Sequence, residues 1–169
     1  MLSKLELIIE QTEREFRGHT FNGYSLIETL RPLSAAMAAS HETYESYSAW
    51  ENLVHCVFFK FHLTRVLGAA EQLLPYPWKE GSFPDISDTS ERAWNEALAY
   101  AETVHTAYIQ RLGTLTEGEL DQRIEEWDCT VKEAVIWMPT HDTYHVAQIR
   151  NMGLAELRQP RNDAEEAEA

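Results

Sequence analysis

The sequence predicts an all-α protein, a four-helix bundle, and three observations support this. Four capping boxes are spaced along the chain, each with Ser, Thr or Asp at the N-cap and Glu three residues later. An apolar run with helical periodicity follows each box. One connection, "LPYPWKEGSFPDIS", holds three prolines and a glycine and so is not helical. The four boxes are Ser3–Glu6, Ser48–Glu51, Asp88–Glu91 and Thr130–Glu133.

The first predicted helix covers about residues 4–17. Its apolar side comprises Leu5, Ile8, Ile9 and Phe16. Gly18 and Gly23 are expected to end the helix and begin a turn, because glycine favours turns over helix. The stretches "YSLIETL" and "SAAMAA" are expected to form short helices that are separated at Pro32.

The other three predicted helices cover about residues 49–69, 89–112 and 131–157. The third has an apolar stripe at alternating four- and three-residue steps, made of Trp94, Leu98, Ala101, His105, Tyr108 and Leu112. The Pro-rich connection and the segment 113–129 are both long. Long crossover connections allow neighbouring helices of a bundle to run parallel.

The length of 169 residues predicts one domain, which we place at residues 1–157. Apolar residues make up 44% of the chain, enough for a buried core. The last residues, 158–169, include the acidic run "NDAEEAEA" and are expected to form a disordered tail.

The formal net charge of −14 argues against binding to nucleic acid or to anionic lipid, because both are themselves negatively charged. No apolar run is long enough to span a membrane. The start "MLSKLELIIEQTERE" becomes charged too early for a signal peptide. Cys56 and Cys129 form no CxxC pair and are expected to be buried thiols, which fits a cytoplasmic protein.

Two histidines, His141 and His145, interrupt the apolar stripe of the last predicted helix. The stripe otherwise consists of Val131, Val135, Met138, Ile149 and Met152. Residues four apart lie on one helix face, about 5–6 Å apart at Cβ, so both imidazoles can bind one ion. A lone histidine on such a face is usually a hydrogen-bonded core residue, but a pair at this spacing raises the chance of metal binding.

A third ligand is expected from a facing helix, and the second predicted helix offers two histidines. His55 lies among apolar neighbours. His62 lies two turns further, about 10 Å along the helix axis, so it cannot bind the same ion as His55. His62 could replace His55 as the ligand, but we expect it to be unrelated to the site, with His55 as the third ligand.

The remaining histidines, His19, His41 and His105, are expected to play no part in the site. Within the last helix, Pro139 is expected to bend the chain just before the histidine pair, either aiming the rings or serving only packing. Asp142 points about 100° away from His141, which favours a salt bridge or an interface over the metal.

Two polar residues near the histidines are candidates to orient a ring or a bound water. Gln148 lies one turn after His145, and Glu51 lies one turn before His55. For Glu51, the capping box is a sufficient explanation. Tyr144 lies on another side of the helix, towards solvent or a partner subunit.

These residues carry a resemblance to a known family. "SAWENLVHCVFFKFHLTRVLG" resembles the second helix of the DinB/YfiT-like superfamily of bacterial metal-binding four-helix bundles, and "SERAWNEALAYAETVHTAYIQRL" resembles its third helix. "HDTYHVAQI" resembles its C-terminal HxxxH helix, in which Gln often follows the second His by three residues. "FNGYSLIETLRPLS" is similar to the linker of that superfamily.

The resemblance implies an up-down-down-up bundle that forms a homodimer. It also implies that His55, His141 and His145 bind a divalent metal. Characterised relatives in that superfamily include transferases that use low-molecular-weight thiols, and some isomerases and hydrolases. The family name refers to damage-inducible expression and implies no binding of DNA.

Three neutral histidines would leave the charge of a divalent ion uncompensated and one coordination position open, as in catalytic zinc sites. We therefore expect a metal-dependent enzyme, either a thiol-dependent S-transferase or a hydrolase, acting on a small electrophilic substrate. Zinc or nickel is the expected metal, with a low-molecular-weight thiol as a further cofactor. The alternative is a non-catalytic, metal-binding or stress-related dimeric bundle. In a third hypothesis, the histidines are only core residues.

Overall fold

The computed structural model describes residues 3–21, 23–79 and 81–158, and it is mainly helical, as predicted. The four long helices are α1 (Lys4–Arg17), α4 (Ala49–Val66), α5 (Glu91–Leu112) and α7 (Val131–Asn151). The short helices are α2 (Leu26–Leu30), α3 (Ala35–Ala38) and α6 (Glu117–Leu120). Strands β1 (Arg123–Ile124) and β2 (Cys129–Thr130) form a small antiparallel hairpin. The predicted acidic tail, apart from Arg158, lies outside the described residues.

Three of the four predicted capping boxes are confirmed, those of Ser3, Ser48 and Thr130. The prediction for Asp88 is wrong. Ser90 is the N-cap of α5, with its hydroxyl oxygen accepting from the backbone N–H of Ala93 at 3.2 Å. Asp88 instead accepts from the N–H of Ser90, and Glu91 accepts from the N–H of Ala35, at the start of α3. Glu91 is therefore engaged in a tertiary contact.

Two predicted helix ends extend too far. The second long helix, α4, ends at Val66, just before Gly68, which has a φ of 81°. The last helix, α7, ends at Asn151 instead of residue 157, because Gly153 adopts a φ of 104° that turns the chain out of the helix. Leu154 and Leu157 nevertheless remain buried, so the apolar pattern continues where the helix does not.

The long helices enclose the core by pairwise packing. Helix α4 packs against α5 and α7, and α1 packs against the same two helices. Trp50 of α4 and Trp94 of α5 are both almost fully buried, with ring centroids 4.9 Å apart. The indole N–H of Trp94 donates to the carbonyl of Leu33 at 2.9 Å, which ties the α2–α3 segment to the bundle.

In its described residues, the Pro-rich connection between α4 and α5 forms no α-helix. Tyr76 and Trp78 pack partly buried against the core. Cys56 and Cys129 are buried free thiols, as predicted. In the described part of the chain, every helix is too short or too polar to cross a membrane.

Candidate metal centre

Helices α4 and α7 bring three histidines together. His141 Nε2 lies 3.1 Å from His55 Nε2 and 3.2 Å from His145 Nε2. His55 comes from the middle of α4, and the other two come from consecutive turns of α7. The three ligand atoms all lie within 4.8 Å of one another, so these residues can hold a metal ion.

The second ring nitrogen of two of these histidines contacts a neutral acceptor. His55 Nδ1 lies 2.8 Å from the carbonyl oxygen of Ser82, and His145 Nδ1 lies 2.9 Å from Oδ1 of Asn52. Asn52 Nδ2 donates to the carbonyl of Ser48 at 2.9 Å, so its Oδ1 is left to face the ring. Since both acceptors lack a proton, both Nδ1 atoms carry one.

The remaining lone pairs therefore point towards a common centre. A neutral imidazole that is protonated at Nδ1 presents an unprotonated Nε2, and those of His55 and His145 face the Nε2 of His141. Their lone pairs repel one another unless His141 carries its proton on Nε2 or a cation lies between the three nitrogens, and a cation there can be bound by all three. Nitrogens bound tetrahedrally to zinc at 2.0–2.1 Å would be about 3.3 Å apart, close to the observed separations.

Burial keeps these rings in the neutral form that binds metals. It lowers the pKa of His141 to about 3, and the positive charge that His145, His55 and Lys60 can carry adds to this effect. It lowers the pKa of His145 to about 4, partly offset by the side chain of Gln148. Burial also lowers the pKa of His55, against the opposing effect of the Ser82 carbonyl.

A second cluster lies beside the first. Ligand atoms of Cys56, His141 and Asp142 also lie within 4.8 Å of one another. Asp142 forms a salt bridge with Lys60, one of the two outcomes predicted for it, and both side chains are almost fully buried. Because the ammonium already neutralises the carboxylate, and because burial raises the pKa of the Cys56 thiol well above its usual range, this cluster is poorly suited to a second ion.

The other histidines lie away from the centre. His62 contacts Glu126 at 2.9 Å and stacks on Trp127. His105 is fully buried in the core and stacks on Phe16 with ring centroids 3.8 Å apart. His19 is exposed, and His41 lies 3.4 Å from Glu51 at the start of α4.

The two candidate orienting residues differ in their contacts. Glu51 accepts from the backbone N–H of Ser48 at 2.7 Å, which completes the capping box of α4. Gln148 donates to Glu45 at 3.3 Å, and its buried Oε1 has no hydrogen-bond partner among the residues that the structure describes. Tyr144 is 61% exposed and packs edge-on against His145.

Asn52 and Ser82 are site residues that the sequence reasoning missed. Asn52 lies one turn before His55 on the same helix, so its spacing was a usable signal. Ser82 lies in the irregular connection between α4 and α5, where no periodicity places it.

Three convergent histidines on two long helices define a helical protein with a candidate metal site. The profile of the DinB superfamily matches residues 23–149. That range contains all three histidines and more than half of the chain, and the chain belongs to this superfamily. Searches among curated proteins and among solved structures found no match.

Proposed function

We propose that this chain is a metal-dependent enzyme in which His55, His141 and His145 bind one divalent ion. Its reaction would be thiol-dependent S-transfer to, or hydrolysis of, a small electrophilic substrate. The observation that supports this most directly is the approach of the three Nε2 atoms to 3.1–3.2 Å, with two of the Nδ1 atoms held by neutral acceptors.

The proposed ion is zinc or nickel, both of which imidazole ligands suit, and the donor set contains three neutral ligands. An ion there would keep its full charge and would lower the pKa of a water or thiol that binds it. In the protein, Asn52 and the Ser82 carbonyl hold two rings in place. Gln148, and secondarily Glu51, would orient a bound water or thiol. The thiol would be a low-molecular-weight cofactor.

We further infer one up-down-down-up domain that forms a cytoplasmic homodimer. Contacts between the helices support these directions. Asn52–His145 and Lys60–Asp142 indicate that α4 and α7 run antiparallel.

Glu13–His105 and Arg17–Glu102 indicate the same for α1 and α5. Trp50–Trp94 and Leu67–Arg111 indicate that α4 and α5 run parallel.

One observation favours the alternative, a non-catalytic metal-binding or stress-related bundle. His55 and His145 are only 8% and 4% exposed, and a buried ion can serve to join α4 to α7. In that case, removal of the metal would lower the melting temperature without abolishing any reaction. An enzyme must in addition let an external ligand bind the ion.

The test begins with the metal content of protein purified without a histidine tag. We expect about one divalent ion per chain, and none in His141→Ala. His62→Ala, on the same helix as His55 but outside the cluster, should retain the ion. Equal metal content in both variants would overturn the assignment of the ligands. A screen for conjugation of thiols to electrophiles, and for hydrolysis, would then distinguish the enzyme from the structural alternative.

A further inference from the structure

Aromatic side chains surround the three histidines. We define the aromatic collar as Tyr47, Phe59, Phe83 and Tyr144. From it we propose that the site selects substrates with a flat, apolar, preferably aromatic body. This inference rests on the proposed function, because it concerns what binds beside the metal.

One side of the collar is a stack of three rings. Phe83 lies on the face of His55, with ring centroids 4.1 Å apart and an interplanar angle of 12°. Tyr47 covers the outer face of Phe83 at 3.7 Å and 7°. Tyr47 is 43% exposed, so the stack extends from the ligand ring to the surface.

The other two collar residues pack edge-on. Phe59 contacts His55 with ring centroids 4.9 Å apart and His141 at 5.2 Å. Tyr144 contacts His145 at 5.1 Å, and its side chain is largely exposed. Each of the three histidines therefore contacts at least one collar ring.

Two charged groups close to the centre have partners among the described residues. Asp142 is paired with Lys60, and Glu45 accepts from Gln148, one turn after His145. Two histidine rings form hydrogen bonds with neutral groups: His55 with the Ser82 carbonyl, and His145 with the Asn52 amide. The collar thus offers a ligand apolar surface and aromatic ring faces, and it offers few charged groups that a polar ligand could contact.

These contacts determine the class of ligand that fits. A donor group, preferably anionic, is expected at the open position of the metal, because the protein ligands are neutral. The rest of the molecule would cover the exposed faces of Tyr47 and Tyr144, which favours apolar surface and ring–ring contact. An aryl electrophile meets both requirements better than a short polar one does.

Two hydroxamates test this selectivity because they carry the same metal-binding group. Acetohydroxamate has a methyl group where benzohydroxamate has a phenyl ring. We expect benzohydroxamate to bind zinc-loaded protein at least about tenfold more tightly, measured by calorimetry. Cyclohexanecarbohydroxamate, with a non-planar ring, should lie between the two.

Collar variants assign the preference to named residues. Tyr144→Ser and Tyr47→Ser, which remove the two exposed collar rings, should each reduce the ratio of the two affinities by about threefold or more. Tyr44→Ser removes a tyrosine that is 85% exposed but lies outside the collar, and it should leave the ratio unchanged. Tyr144→Ser also keeps the test valid if Tyr47→Ser, which loses a stacking contact with Phe83, fails to fold.

The outcomes separate this inference from the proposed function. If neither hydroxamate binds zinc-loaded protein, the proposed open metal site is wrong, and this inference is wrong with it. If both bind equally, the metal site stands and the collar inference alone is overturned. If Tyr144→Ser disrupts self-association but leaves the affinity ratio unchanged, a second copy of the chain covers the collar, which also overturns the inference.

Discussion

Nδ1 of His145 lies 2.9 Å from Oδ1 of Asn52, a contact that joins α7 to the first turn of α4. The Asn52 amide is held in turn by the carbonyl of Ser48, the N-cap of α4. The start of α4 therefore sets both the orientation and the tautomer of a ring on another helix. Ring-orienting contacts of this kind contribute to the metal affinity of histidine sites.

Replacing Asn52 with Leu should weaken zinc binding by about 10–100-fold, because His145 loses the acceptor that keeps its proton on Nδ1. Competition with a chromophoric chelator measures this affinity, and ¹⁵N NMR of the imidazole reports the tautomer. Asn95→Leu is the matched control, since Asn95 also donates to the carbonyl four residues earlier but lies exposed on α5. Equal zinc affinity in the two variants would refute the orienting role.

Breaking the buried salt bridge between Lys60 and Asp142 should strongly lower the stability of the folded protein. Lys60→Met leaves an uncompensated buried carboxylate and should lower the free energy of unfolding by about 3–5 kcal/mol, measured by urea denaturation of metal-free protein. Lys132→Met disrupts an exposed pair with Asp121 and should cost no more than about 1 kcal/mol.

The double variant Lys60→Met/Asp142→Leu tests the physical reason. Replacing both charges with apolar side chains removes the unpaired carboxylate, so stability should return to near that of the unmodified protein. A double variant that is as unstable as Lys60→Met would show that packing, and not charge, accounts for the loss.

The core histidine, His105, should make stability fall as the pH decreases. Burial lowers its pKa from 6.5 to about 3, so below about pH 6.5 the unfolded chain takes up a proton that the folded protein does not. The free energy of unfolding should therefore decline through the window between these two pKa values.

In His105→Phe, which can keep the stack on Phe16, this contribution disappears. The slope of unfolding free energy against pH should decrease by about 1.4 kcal/mol per pH unit near pH 5. Urea denaturation at several pH values measures the slope, with His19→Phe, at an exposed position, as the control. An unchanged slope would mean that His105 is protonated in the folded protein.

Removing the metal should destabilise the protein in either proposed role. A ligand at 1,000 times its dissociation constant stabilises the folded state by about 4 kcal/mol, so the melting temperature should fall when a chelator is added. His145→Ala should melt at the same temperature with and without the chelator. A chelator effect that persists in this variant would place the ion elsewhere.

Local sequence signals were sufficient for much of the site. The four-residue spacing of His141 and His145 places both rings on one face of a helix, whatever surrounds it. The capping boxes of Ser48 and Thr130 mark where α4 and α7 begin because their hydrogen bonds span three residues. The apolar neighbours of His55 favoured it over His62, and the resemblance to the superfamily pointed to the same residue.

Other features escaped prediction because they depend on residues far apart in the chain. Glu91 contacts Ala35, so the expected box with Asp88 did not form. The apolar pattern at Leu154 and Leu157 persists in a turn, because burial constrains the side chain and not the type of backbone. Ser82 contacts His55 from an irregular connection, where no periodic pattern of residues could have predicted its position.

By itself, the sequence determined the four long helices, apart from two of their ends and one N-cap, and placed two histidines on one face, since those properties follow mainly from interactions within a few residues. Only the tertiary structure decided which side chains from other segments meet that face: His55, the Asn52 amide, the Ser82 carbonyl and the aromatic collar. Packing of α4 against α7, and of the α4–α5 connection against α4, produces these contacts. Such packing depends on the free energy of the whole chain, which no local pattern encodes.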